Sequence, residues 1–323
     1  MRPGRAHPYL LLGGATLLWA GNFVLGRAVS ARVPPVGLAF WRWVVALLVL
    51  LAITRRRLPA QWPRLARSWK VLVPLGVLGV GNFNTLVYLG LRETTATNAL
   101  LLNSACPAFI LAISAAAGLG RASARQVLGI AISLAGVTVI LVRGDPAALA
   151  ALRFNRGDVW VLAAVLSWAF YTVLLARRPA GVEPMVLLTA LVAVGVAWIA
   201  PFYAWESAAG APVAWNAVTA VTVLYVALAA SVAAYAFWNR GVAEVGAARA
   251  GVFLHLMPAF GTVLAILLLG EAFHPHQLAG IGLILLGVFL AGTSGPAPAS
   301  LPPGDRSERV PPCRNRAGTR KRS

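Results

Sequence analysis

The chain has 323 residues, 59% hydrophobic and 11% charged, with a mean hydropathy of +0.77, a balance that excludes a water-soluble domain of this size and reads as an integral membrane protein. A formal net charge of +19 invites a nucleic-acid role, but the arginines collect in short loops between apolar runs, which argues for no nucleic acid and leaves the lipid bilayer as the partner. Two cysteines, Cys106 and Cys313, make no disulfide framework, the sequence asks for no cofactor, and the His274 to His276 "HPH" turn without carboxylate or Cys neighbours is too weak to make a metal site.

A membrane-spanning helix needs about 20 mostly apolar residues. In chain order the candidates are 9–29, 36–53, 71–91, 96–119, 126–142, 159–176, 185–203, 218–238, 250–270 and 275–292. The basic and apolar start "MRPGRAHPYLLLGG" resembles a secretion signal, but its apolar stretch runs on to Val29 without a small-residue exit, so it reads as the first span. With the N-terminus in the cytoplasm, the inner loops collect Arg2, Arg5, Arg55, Arg56, Arg57, Arg64, Arg67, Lys70, Arg121, Arg125, Arg177, Arg178, Arg240, Arg249 and the basic tail. The outer loops keep only Arg32, Arg92, Arg143, Arg153 and Arg156. The asymmetry puts both termini on the cytoplasmic side of the cell membrane. Residues 295–323, rich in Pro, Gly, Ser and Arg, cannot bury a core and read as a disordered basic cytoplasmic tail.

The two halves of the chain repeat each other. "LLWA" at Leu17–Ala20 matches "LSWA" at Leu166–Ala169, and a proline follows each Trp at the same interval, Pro35 and Pro184. "CPAF" at Cys106 matches "MPAF" at Met257, and "QVLGIAISLAG" from Gln126 matches "QLAGIGLILLG" from Gln277. Taking 9–143 and 158–293 as the copies, each holds five spans, an odd number, so the second enters the membrane the other way up. The expected fold class is therefore an all-α integral membrane protein of ten transmembrane helices in two inverted five-helix repeats. Pro107 and Pro258 each break the fourth span of their copy at mid-depth. A freed carbonyl there is tolerable in lipid only where protein or a cavity satisfies it, so both breaks are expected to point inward, although a single such proline could be a mere packing kink.

"LLWAGNFVLGRA", the "PPVGLAFWRW" opening of span two, the mid-span "PAF" and "LLGEAFHPHQLAGIGLILLGVFL" together resemble the EamA-type, ten-helix branch of the drug/metabolite transporter superfamily, over roughly Tyr9 to Gly292. The resemblance implies a metabolite exporter or permease with a cavity between two five-helix halves, handling amino acids, purines, sugars or other small polar solutes. One departure stands out: the acidic residue after the fourth span is present in copy two as Glu271, whereas copy one has Arg121.

A carrier has no reaction to catalyse, so the informative residues are polar groups that lipid would reject. No Asp or Glu falls in the middle of a proposed span, which leaves no carboxylate proton carrier. Arg27 and Arg42 lie about 9 to 11 Å below the short loop near Val33 at helical rise. Two readings compete: both snorkel to headgroups, or they build an electropositive vestibule for substrates bearing a carboxylate or phosphate. The candidate substrate-binding residues are Trp19, Asn22, Arg42, Asn82, Asn84, Tyr88 and Asn103 from copy one, and Trp168, Tyr171, Tyr235, Trp238 and His255 from copy two. These amides and aromatic rings suit a small polar organic molecule, though an interhelical hydrogen bond is an equally good use for any one of them. His255 adds a group that titrates near neutral pH. Trp41, Trp43, Tyr203, Trp205 and Trp215 lie near span ends and read as interfacial anchors. Gly-rich stretches at Gly76–Asn82, Gly129–Gly136 and Gly280–Gly287 allow close helix approach, by default within one chain, otherwise in a homodimer or in sliding helices. A membrane-embedded enzyme would need clustered His, Asp or Glu; the acids are scattered singly, so no enzymatic activity is expected. A channel remains the alternative, distinguished from a carrier by saturation and counterflow.

Overall fold

The computed structural model describes residues 7–29, 33–94, 96–119, 122–150, 154–269 and 274–293. Arg121, Glu271 and the tail 295–323 lie outside them, as does the side chain of Arg27. Among the described residues there are helices and turns and no strand. We number the spanning segments α1 (Pro8–Val29), α2 (Pro35–Thr54), α3 (Trp69–Glu93), α4 (Ala96–Asn103 continued by Cys106–Ala116), α5 (Ala124–Leu141), α6 (Arg156–Arg177), α7 (Pro184–Ala208), α8 (Ala217–Val245), α9 (Ala247–Val252, Phe253–His255 and Leu256–Leu269) and α10 (Pro275–Gly292). The nine from α2 to α10 contain stretches long and apolar enough to cross a bilayer, and α1 adds a helix of 22 residues. Large apolar side chains point outward along them, among them Leu48, Val221, Leu267 and Phe289, as a lipid-facing surface requires.

Local chemistry sets the ends. Pro35, Pro184 and Pro275 stand at the first turn of their helices, where the missing N–H costs nothing. Ser123 with Gln126, and Asn155 with Asp158, form reciprocal capping boxes at the starts of α5 and α6. Asp158, buried at a span end, also accepts a short hydrogen bond from Thr94 Oγ1.

Packing follows the internal repeat. α5 lies along α10, α2 along α7 and α4 along α9, each helix against its own counterpart. The contacts of α3 with α6 and of α6 with α4 recur as those of α8 with α1 and of α1 with α9. Glycines show the relation most directly. A Cβ on Gly129 would sit 2.6 Å from the Gly287 carbonyl, and one on Gly136 would sit 2.6 Å from the Gly280 carbonyl. Gly129 corresponds to Gly280 in the repeat and Gly136 to Gly287, so the two helices run antiparallel and exchange places under the repeat. These four glycines pack inside one chain. The same holds for Gly76 and Gly79, which back onto Val194 and Tyr171.

Two irregularities are duplicated. α4 breaks at Ser104 and Ala105, before Pro107, and α9 tightens into a 3₁₀ turn at Phe253–His255, before Pro258. In the third span of each half, α3 and α8, one stretch widens to a π-helix, Gly76–Asn82 and Leu228–Ala233. Such bulges free carbonyls from the helical ladder and gather at functional sites.

Candidate functional site

The breaks of α4 and α9 border one small cavity between the halves, lined by Trp19, Asn22, Phe83, Asn84, Asn103, Trp168, Leu254 and Met257. In this conformation it has room for water-sized molecules only. Asn103 and Leu254 are counterparts in the repeat, each four residues before its proline, so each presents a carbonyl whose usual donor the ring has removed. The residues just before each break, Asn103 and Leu254, thus face the cavity. The Asn103 side chain is buried yet has no hydrogen-bond partner among the described residues, and Asn22 spends only its oxygen on protein. Amide groups are left free to meet whatever enters.

Behind this wall lies Arg42, with no exposed surface at all. Its Nη1 donates to Asn84 Oδ1 at 2.9 Å and to the Tyr88 hydroxyl at 2.8 Å, while Nε and Nη2 donate to Ser231 Oγ at 3.0 and 2.8 Å. The guanidinium also stands 5.1 Å from the centre of the Trp43 ring. Every partner is neutral, and neither ion pair among the described residues involves it. The snorkelling alternative fails for Arg42, because the side chain turns into the bundle. Tyr88 passes the contact on to Asn22 Oδ1 at 3.3 Å, so two of the cavity's amides are oriented by the buried cation.

Aromatic rings fill the remaining volume. Trp19 lies edge-on to Trp168 at 5.1 Å, and Tyr235 to Trp43 at 5.0 Å; Tyr171 and Trp238 complete the cluster. Two of these rings close the π bulges reciprocally. Trp19 Nε1 of the first half donates to the Ala230 carbonyl of the second at 2.9 Å, and the Tyr235 hydroxyl of the second donates to the Gly79 carbonyl of the first at 2.6 Å. Tyr235 also accepts from Asn84 Nδ2 at 3.4 Å, while Tyr171 donates to Asn239 Oδ1 at 2.7 Å. The indole N–H groups of Trp43, Trp168 and Trp238 are buried without an acceptor among the described residues.

His255, also fully buried, bonds Ser133 Oγ through Nδ1 at 2.5 Å and the Ser104 carbonyl through Nε2 at 2.8 Å. It adjoins Leu254 on the cavity wall. Of the residues singled out in the sequence, Trp19, Asn22, Asn84, Asn103 and Trp168 line the cavity, and Arg42, Tyr88, Tyr171, Tyr235, Trp238 and His255 pack around it. Asn82 does not: its Oδ1 accepts from Trp198 Nε1 at 2.9 Å, and Trp198 is a largely exposed residue of α7. Trp43, expected as an interfacial anchor, is instead wholly buried. Ser231, the principal acceptor for Arg42, carries no signal in the sequence. Neither does Glu206, whose carboxylate accepts from the Val36 and Gly37 N–H groups at 3.2 and 2.7 Å and so caps α2 from α7.

The sequence pattern of the EamA-like transporter family matches residues 7–142 and again 155–293. The chain belongs to the EamA-like transporter family. This EamA-like protein is 30% identical over 286 residues to an uncharacterized transporter of Archaeoglobus fulgidus, a match covering 87% of this chain and 96% of that one. It is 31% identical to a "Probable terminal-alkyne amino-acid exporter" of Streptantibioticus cattleyicolor, covering 84% and 89%. It is also 26% identical to a "Probable amino-acid metabolite efflux pump" of Salmonella typhimurium, covering 85% and 91%. A crystal structure with 22% identity superposes with a TM-score of 0.70 over 88% of this chain and 96% of that one, a likeness of fold. The EamA-like chain is thus a multi-pass membrane transporter, not an enzyme.

Proposed function

We propose that this transporter moves small zwitterionic metabolites of the amino-acid class out of the cell, by rocking two inverted halves, residues 9–143 and 158–293, around the central cavity. On this reading it sits in the cytoplasmic membrane with both termini and the basic tail inside. The observation that carries the substrate class is Arg42: a buried guanidinium with only neutral partners. Burying a charge without a counter-charge is costly, and a substrate carboxylate would supply one. The substrate's ammonium group would then face the opposite wall, where Asn103 and the break carbonyls offer oxygen acceptors and the Trp19 and Trp168 rings offer π faces. The names of the two amino-acid exporter relatives agree with that class.

Counterflow in proteoliposomes tests it. Vesicles loaded with unlabelled L-leucine should take up labelled L-leucine and reject leucinamide, which keeps the ammonium but lacks the carboxylate. Arg42→Gln should lower leucine exchange at least tenfold, about 1.4 kcal/mol of lost discrimination, while the protein still folds. Equal exchange of leucine and leucinamide would sink the carboxylate anchor, and a panel extended to nucleobases and sugars would then identify the class actually carried.

A further inference from the structure

We propose that His255 binds the proton that this carrier exchanges for its substrate. The proposal rests on the zwitterion reading above and adds to it the coupling ion and its site. Among the described residues, His255 is the buried imidazole, the side-chain type whose ordinary titration range lies nearest neutral pH. It is also where the halves meet. His255 and Ser104 are counterparts in the repeat, 151 positions apart, and the ring of one caps the carbonyl of the other.

That carbonyl is available because the helix has broken. In an unbroken α4 the Ala108 N–H would bond Ser104; here it turns to Ala105 at 3.1 Å instead. A carbonyl only accepts, so Nε2 must carry a hydrogen. In the neutral ring Nδ1 is therefore an acceptor, and the Ser133 hydroxyl donates to it. A proton arriving at Nδ1 reverses this second bond: Nδ1–H donates to Ser133 Oγ, and the hydroxyl hydrogen swings to the Ile130 carbonyl, already 3.1 Å away. Both charge states are fully hydrogen bonded, with no donor or acceptor stranded. A histidine kept only for packing would need a partner set for one state.

The surroundings define the sign of the coupling. The His255 turn packs against α1, α4, α5 and α10 and the rest of α9. The titratable and charged groups described on these helices are Tyr9, Cys106, Arg125, His276 and Arg249, with no carboxylate among the described residues; the ring's own bonds go to Ser133 and Ser104. An imidazolium would lack a counter-ion and would repel a substrate ammonium seated beside Leu254 and Asn103. Proton and substrate therefore displace each other, which is exchange: the proton taken up from one side at Nδ1 leaves Nδ1 to water on the other.

The test uses the full chain in proteoliposomes with the membrane potential clamped. An interior one pH unit more acidic than the bath should drive labelled L-leucine inward, to about tenfold accumulation for one-for-one exchange. A dye inside should report protons leaving as leucine enters. A His255→Gln protein that still exchanges leucine, at whatever rate, should lose both the accumulation and the proton signal. Ser133→Ala, which spares the ring but removes the partner of Nδ1, should do the same to a lesser extent. Wild-type counterflow that ignores the pH gradient, or a His255→Gln protein that still accumulates leucine, overturns the proposal. Absence of wild-type leucine counterflow would instead strike at the substrate reading. If His255→Gln does not insert, Ser133→Ala decides: unchanged gradient-driven accumulation in that variant refutes the assignment.

Discussion

Two alanine substitutions on one helix should have opposite effects. On α10, Gly287 faces α5, and a Cβ there would lie 2.5 Å from the Ser133 nitrogen and 2.7 Å from the Ser133 Cβ. Ordinary contact begins near 3.5 Å, so α5 and α10 would have to part by about 1 Å along a continuous seam. Overpacking of that kind costs about 1–3 kcal/mol, against a helix-propensity gain of about 1 kcal/mol when Gly becomes Ala. With the middle of that range, about 2 kcal/mol, Gly287→Ala should destabilise by about 1 kcal/mol net. Gly282, five residues earlier, has nothing within 4 Å of its Cβ position, so Gly282→Ala should keep the propensity gain and stabilise by about 0.5–1 kcal/mol. Thermal unfolding in one detergent at one scan rate, followed by tryptophan fluorescence, should give midpoints on either side of wild type. Each kcal/mol corresponds to about 2 °C in a chain of this size. A Gly287→Ala midpoint at or above wild type would refute the reciprocal-glycine seam, and equal losses in both variants would show that neither distance governs.

The two ends of the α2–α7 pair should also respond unequally. Glu206→Gln removes the negative charge from the start of α2 and should cost about 1 kcal/mol in the same melting assay. Arg57→Ala, which breaks an ion pair with Glu183 whose partners are 61% and 45% exposed, should change stability by less than about 0.5 kcal/mol; the reverse order would contradict the assigned roles. For topology, Trp62→Cys and Trp215→Cys place thiols at positions 60% and 52% exposed, in a Cys313→Ser background where Cys106 is buried. An impermeant maleimide added to intact cells should label residue 215 and spare residue 62. Labelling of 62 alone would invert the proposed orientation.

The sequence carries the scaffold because its signals are long or repeated: twenty-residue apolar runs, twin "PAF" breaks, glycines at matched spacing. It places Pro107 and Pro258 at a cavity because a proline in lipid leaves a carbonyl that something must satisfy. It carries Arg42's depth but not its direction. α2 is apolar around its whole circumference, so no stripe distinguishes the face of Arg42 and Trp43 from the lipid face; hence Trp43 reads as a surface anchor. Asn82 departs from expectation for another reason. It ends the π segment Gly76–Asn82 and stands two residues before Asn84, about 200° around a helix, so with Asn84 at the cavity Asn82 turns the other way, to Trp198. Nothing in residue spacing announces a π turn, although runs of small residues at equivalent places in both third spans are a usable hint. Ser231 is invisible because serine is common in apolar helices, and its role depends on a guanidinium from another helix.

The cross-wiring of the two bulges makes the duplicated modules mutually dependent. Trp19 closes a gap in the second module's backbone and Tyr235 closes one in the first, so a five-helix fragment expressed alone would hold a bare peptide oxygen at the membrane's centre. A solitary ancestor of this module would have met the same difficulty, and an antiparallel pairing of two copies resolves it for both at once.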